Sequence, residues 1–446
     1  MSANPVHLRR VLGLWDLIFY GIILIQPIAP VGIFGVAAGI SRGHVSTTLL
    51  AAMFAMMLTA YSYGRMSILY PAAGSAYTYV GRGLNLHLGF LTGWTMLLDY
   101  LIIPIINVIY LALTIQRLAP EVPYFIWILA TTAFLTFLNI QRVRFTARTN
   151  QAMLGVMSLV IFAFVVLAIR YLFRAAGWTG LFSIQPFYDP ATFELGSLAT
   201  ATSLAALTYI GFDGVTTLAE EVKDPKRNVP RATVLVCLLT GVLSTLEIYL
   251  AQRVWPDYRT FHNVETAFLD VCGRIGGGLL FQAMAAILIV ACFGSGLAGQ
   301  VGAARLLYGM GRDGVIPRLF GRINAHSGVP VLNVVLIGVL TLGGAVMIQY
   351  ERAVALLNFG AFLAFMGVNL ATIRKYYFDA PRSQRSFWRS FLMPGLGFLF
   401  CAVIWVSLPL PAKIAGGGWL VAGLIYQGLK TKGFRLQPPT VDFTEG

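Results

Sequence analysis

Twelve stretches of this chain run for about 17 to 30 residues with little charge, long enough for a helix to cross a bilayer. They lie near 14–40, 46–66, 87–116, 123–140, 150–172, 194–219, 231–253, 275–304, 329–349, 352–374, 391–409 and 414–430. The chain of 446 residues is 57% hydrophobic and 11% charged, where soluble domains are about 25% charged. The pattern predicts an all-α polytopic membrane protein with twelve transmembrane helices. All connecting segments are short, so residues 1–430 form one transmembrane domain. Residues 431–446 make a polar, Pro-containing cytoplasmic tail. The opening "MSANPVHLRR" precedes an apolar run too long for a signal-peptide core, so that run is read as a retained first span.

The net charge of +14 is a topology signal. With the N-terminus inside, 23 of the 32 Lys and Arg residues fall on the cytoplasmic side and 9 on the outer side. The excess orients both termini to the cytoplasm, and no nucleic-acid partner is needed to explain it. Cys237, Cys272, Cys292 and Cys401 form no CxxC pair, so neither a disulfide framework nor a metal site is indicated. The five histidines, His7, His44, His87, His262 and His326, fall in loops or at span ends. No HExxH or phosphate-loop motif occurs. An enzyme and a bound cofactor are therefore not expected.

The first span carries "QPIAPVGIFG" (26–35), with breaks expected at Pro27, Pro30, Gly32 and Gly35. The sixth carries "LTYIGFDGVTTLAEE", with Gly211, Asp213 and Gly214 near its middle. Proline removes a helix hydrogen bond, and a freed backbone group in hydrocarbon costs several kcal/mol unless protein or a water-filled cavity receives it. Paired breaks five spans apart point to two inverted repeats, about 14–172 and 194–374, with two added helices at about 391–430. Unwound carbonyls at such breaks favour cations, and half-helix N-termini favour anions.

Three acids lie near the middle of spans: Asp99, Asp213 and Glu247. No Lys or Arg lies near the middle of any span. An intramembrane acid without a basic partner marks a functional site by default, and a substrate amine or a transported proton would supply the missing charge. Asp99, Asp213 and Glu247 are therefore the proton-coupling candidates. Tyr100, Tyr209 and Phe212 flank these points and are candidates to cover an ammonium group. Asn107 and Asn358 read as interhelical hydrogen-bonding residues, and the glycines of "GFLTG" and "GSGLAGQVG" as close-packing positions.

Several motifs are specific. They are "YPAAGSAYTYVGRGLNLHLGFLTGW" (70–94), "GWTMLLDY" (93–100), "GFDGVTTLAEEVKDPKRNVPRA" (211–232) and "ARLLYGMGRDGVIP" (304–317). Through them the chain resembles the amino acid–polyamine–organocation transporter superfamily over nearly its whole length. It is most similar to the putrescine importer branch, through "GHVS", "DYLIIPIINV", "FDGVTTL" and "NFGAFLAF".

The resemblance implies a LeuT-like fold of five plus five inverted helices, with helices 1 and 6 broken, and secondary active transport with proton coupling. It implies a substrate site at Ile28, Ala29, Pro30, Val31, Gly32, Ile33, Asp99, Tyr100, Thr208, Tyr209, Ile210, Gly211, Phe212 and Asp213, with lesser contributions from 294–296 and 358–360. Amino acid members carry a glycine-rich motif in span one whose N–H groups bind the substrate carboxylate; here Pro30 has no N–H to give. The putrescine importers carry an acid near the position of Gly32. The span-five lysine of cationic amino acid members is replaced by Met157.

The expected function is import of a small amine or amino acid, such as putrescine, with protons, across the bilayer of a bacterial inner membrane. The alternatives are an exchanger without net proton movement and a transporter-derived nutrient sensor.

Overall fold

The computed structural model describes residues 10–71, 75–141, 147–312, 314–324 and 328–438. His7, His326, Arg9, Arg142, Arg144 and the tail beyond 438 lie outside the described residues. Among those described, the chain is helical and has no strand, only an isolated bridge between Leu12 and Val222.

The helices are α1 (Leu14–Ile25), α2 (Ala29–Ile40), α3 (Val45–Leu69), α4 (Ser75–Gly83), α5 (Leu86–Leu118), α6 (Tyr124–Ile140) and α7 (Ala147–Leu181). They continue with α8 (Leu195–Ala205), α9 (Pro225–Val254), α10 (Ala267–Arg312), α11 (Val331–Met347), α12 (Tyr350–Ile373), α13 (Met393–Val406) and α14 (Leu410–Lys430). Among the described residues, eight helical segments are long and apolar enough to cross a membrane, and α1 and α2, bent by 50° at a short break, together make a ninth. The runs expected at 123–140 and 329–349 are the 17-residue apolar helices α6 and α11. The short helix α4 lies where a loop was expected.

Local chemistry sets several ends. The Asp16 carboxylate accepts the Gly13 N–H at 2.8 Å and anchors the start of α1. Asn85 caps α5, its side-chain oxygen accepting from His87 and Leu88 at 2.7 and 3.1 Å, which satisfies donors the first turn leaves free. Gly177 (φ +60°) and Gly277 (φ +63°) bend α7 and α10 where only glycine adopts the left-handed backbone without strain.

The most extensive interfaces are α3 on α9 and α5 on α10. Small residues make the second possible. A Cβ on Gly299 would meet Ile103, one on Gly302 would meet Tyr100, and one on Gly296 would meet Asn107. This is the close approach expected of small-residue stripes in lipid.

On its other side α5 is pinned by α14. Trp94 and Trp419 stack with ring centres 4.9 Å apart, and each indole N–H donates to the other's carbonyl oxygen at 2.9 Å. Trp94→Phe removes one of these bonds and should cost about 1 kcal/mol. Trp94→Ala also removes the ring and should cost about 3 kcal/mol or more. Thermal unfolding of the purified protein in detergent should rank wild type above Phe and Phe above Ala.

Candidate functional site

The first break is narrow. α1 ends at Ile25, Gln26 takes a left-handed φ of +64°, and α2 starts at Ala29 with Pro30 in its first turn. Proline is accepted there because that N–H has no helical partner in any case. The break is thus confined to Gln26–Ile28 and does not extend to Gly32 and Gly35, as the sequence suggested. Those two glycines sit inside α2 and serve packing. A Cβ on Gly35 would collide with the Val264 carbonyl, and one on Gly32 would stand 2.8 Å from the Tyr350 hydroxyl.

The second break is longer. α8 tightens into a 3₁₀ turn over Ala206–Tyr209, Ile210 is extended, Gly211 has φ +117°, and a 3₁₀ segment runs over Phe212–Glu221. The two breaks touch. A Cβ on Gly211 would lie 3.4 Å from the Leu24 backbone, and one on Gly214 would meet the Leu24 side chain at 2.5 Å.

A cavity of ≈ 1170 Å³ opens beside this contact. Ile28, Ala29 and Gly32 line it from the first break, and Ile210, Gly211 and Asp213 from the second. Asp99 and Tyr100 reach it from α5. One end emerges among the exposed Arg305 and Arg312, both of which hold contacts of their own. The other end is sealed by Tyr110 and Tyr350, which are 3% and 4% exposed.

Asp99 faces the cavity, while its Oδ1 is buried against Gly360 without a hydrogen-bond partner among the described residues. No ion pair is formed by Asp99 or Asp213 among those residues. Glu247, on α9, lies outside the cavity lining. It is 1% exposed, with neither carboxylate oxygen hydrogen-bonded to a described residue.

The remaining expected residues are placed elsewhere. Tyr209 is fully buried and donates its hydroxyl to the Leu49 carbonyl at 2.9 Å. Phe212 packs between Tyr63 and Phe365 at 5.3 Å from each. Pro30, Val31, Ile33 and Thr208 are buried and do not line the cavity. Asn107 donates to Ser295 at 3.1 Å, and Asn358 to the Ser203 carbonyl at 2.6 Å, both across helices.

Sequence reasoning overlooked Gln26, Tyr110 and Tyr350 in the wall, while Ser295, also in the wall, falls within the 294–296 stretch given a lesser contribution. A signal for Tyr110 was present, since eleven residues is about three helical turns and puts Tyr110 on the Asp99 face of α5.

A membrane bundle with two interrupted helices meeting at an acid-lined cavity belongs to the class of transporters, not enzymes. The amino acid permease model matches residues 17–410, and the chain belongs to this family, within the amino acid–polyamine–organocation superfamily. The low-affinity putrescine importer PlaP of Escherichia coli (strain K12) is 33% identical over 442 residues, 98% of this chain and 97% of that one. The branched-chain amino acid permease BcaP of Bacillus subtilis (strain 168) is 26% identical over 462 residues, 95% and 93% of the two chains. The vacuolar cationic amino acid transporter 4 of Arabidopsis thaliana is 25% identical over 396 residues, 83% of this chain and 64% of that one.

The contact between Asp99 and Gly360 is testable. A Cβ on Gly360 would collide with the Asp99 carboxylate and lie 2.7 Å from the Thr95 carbonyl. Gly360→Ala should therefore lower the unfolding temperature, at a cost of about 1–3 kcal/mol. Gly343→Ala, facing open space inside α11, should not lower it.

Proposed function

We propose that this protein is a secondary active transporter that imports a small amino compound with protons by alternating access. A short polyamine such as putrescine is the preferred substrate, ahead of an amino acid. The observation that carries the reading is the pair of acids, Asp99 and Asp213, with no ion-pair partner among the described residues, at a cavity formed where two broken helices meet.

The start of α2 favours an amine over a carboxylate. Pro30 has no N–H, and the N–H groups of Ala29 and Val31 are already bonded to the carbonyls of Gln26 and Ile28, at 3.0 and 3.1 Å. The donors that would grip a substrate carboxylate at a half-helix N-terminus are thus largely spent. An ammonium group finds Asp99 and the carbonyl end of α1. The name of the E. coli relative, a putrescine importer, agrees with this choice.

On this reading the bundle is the LeuT-like arrangement of inverted repeats at about 14–172 and 194–374, with twelve spans in a bacterial inner membrane and both termini in the cytoplasm. The paired breaks support it, as do the two dominant interfaces, α3 with α9 and α5 with α10, which join corresponding helices of the two halves. Substrate reaches Asp99 from the end now sealed by Tyr110 and Tyr350 and leaves past Arg305 and Arg312. Tyr209 and Phe212 support the second break from behind in this conformation. Met157 replaces the lysine of cationic members, so coupling falls to Asp99, Asp213 or Glu247.

Uptake of radiolabelled putrescine into proteoliposomes under an imposed inward proton gradient, competed by amines and amino acids, tests the proposal. Wild type should accumulate putrescine with competition from amines. Asp99→Asn should lose at least about tenfold in uptake, equal to about 1.4 kcal/mol. Asp213→Asn and Glu247→Gln report which group confers dependence on the gradient. Intact uptake by Asp99→Asn at every pH overturns the role of Asp99. Counterflow undiminished without a gradient would favour exchange, and binding without flux a sensor.

A further inference from the structure

The sealed end of the cavity has charge behind it. The rings of Tyr110 and Tyr350 lie 5.1 Å apart and close down on Gly32, which leaves 2.8 Å between a Cβ there and the Tyr350 hydroxyl. The Tyr110 hydroxyl is buried, lines this end of the cavity, and has no hydrogen-bond partner among the described residues. Next to this seal are Glu265, on the connection between α9 and α10, which follows the Val264 carbonyl packed on Gly35 about one turn along α2 from Gly32, and Glu351, which follows Tyr350 in the first turn of α12.

Asn263 holds the backbone of this connection, its side-chain oxygen accepting from the N–H groups of Glu265 and Thr266 at 3.1 Å each. Burial, and then the charge of Glu351, push the Glu265 carboxyl above its ordinary range. The Glu265 charge reaches Tyr110, Tyr124 and Tyr350. Arg352 adjoins Glu351, while Glu265 forms no ion pair among the described residues.

These groups lie too far away to serve the same short ligand as Asp99. Tyr110 is eleven residues along α5 from Asp99, about 16 Å at 1.5 Å per residue. A four-carbon diamine is much shorter than that. The acids beyond Tyr110 therefore belong to a separate station on the path. The connection that carries Glu265 also closes this end of the protein. The Val264 carbonyl sits against Gly35, and Phe261 packs on Phe34 at 5.5 Å. Opening the seal must move Glu265 with it.

We propose that Glu265 and Glu351, with the paired rings of Tyr110 and Tyr350, form a second binding site for organic ammonium ions, filled before the main cavity when the sealed end opens. The carboxylates supply charge, the rings supply electron-rich faces, and the Tyr110 hydroxyl supplies an acceptor. The inference rests on the transport reading and adds a station to it.

The test is the concentration dependence of putrescine uptake into proteoliposomes at low and high ionic strength. It compares wild type, Glu265→Gln, Glu351→Gln, the double variant, Tyr110→Phe and Asp99→Asn. The double variant should raise KM about tenfold with the maximal rate within about twofold, and its KM should lose the salt dependence of the wild type. Tyr110→Phe should raise KM without lowering the unfolding temperature. An unchanged KM in the double variant overturns the proposal. So does a fall in maximal rate and unfolding temperature at constant KM, which marks a structural role. Active Asp99→Asn alongside a raised KM in the double variant would overturn the main-site reading and leave the second site standing. No amine uptake by the wild type overturns both.

Discussion

The two helix breaks brace each other, and the rest of the architecture depends on that contact. Each break frees backbone groups that hydrocarbon cannot satisfy, at several kcal/mol per group. Here Gly211 seats against the backbone of Leu24 and Ile25, and Gly214 against the Leu24 side chain. The left-handed φ of Gly211 strains any other residue, although a Cβ there would lie in ordinary contact at 3.4 Å. Residues of both breaks line the cavity, where water or ligand can reach freed backbone groups. α5 supplies the opposite wall, which is why α10 meets it through glycines and α14 clamps it from behind.

The same contact sets what can move. α1 is tied to the segment after the second break at its far end too. The N–H groups of Val11 and Leu12 donate to the Glu221 carbonyl, and that of Lys223 to the Leu12 carbonyl. α1 and the Phe212–Glu221 segment are thus joined at both ends and form one arm. α2 packs on α8 as a second pair. The backbone between the pairs is confined to Gln26–Ile28 and Ile210–Gly211, a few non-helical residues able to absorb a hinge rotation. Tilting an arm about these points leaves Asp99, on the continuous helix α5, where it is.

What the sequence disclosed followed physical cost. Apolar runs, Pro27, Gly211 and the intramembrane acids all violate or satisfy the bilayer's rules within a single segment, so they were legible. Gly32 and Gly35 misled because a glycine needed for a neighbour's approach looks the same in sequence as one needed for a break. Their partners, Tyr350 and Val264, lie more than two hundred residues away. Tyr209 and Phe212 were placed at the right break, but side-chain direction there depends on the 3₁₀ winding, which no periodicity announces. Tyr110 had a helical register to Asp99, whereas Glu265 sat in a connection whose fold only tertiary contacts define.

On the proposed reading, charge balance links the substrate to the coupling. Of 32 basic residues, none is ion-paired with Asp99 or Asp213 among the described residues, and charge in a low-dielectric interior is tolerated only when compensated. A single ammonium group in the cavity answers one of the two carboxylates and leaves the other to a proton. A short diamine that presents both its ends can answer both, and then no proton is needed in the cavity. Glu247 lies outside the cavity, buried and without a partner among the described residues, so no cavity ligand compensates it. On the proposed reading it is therefore the carboxyl whose neutralisation is independent of substrate valence. Proton coupling for a divalent substrate would then rest with Glu247 on α9, the helix that packs most extensively on α3.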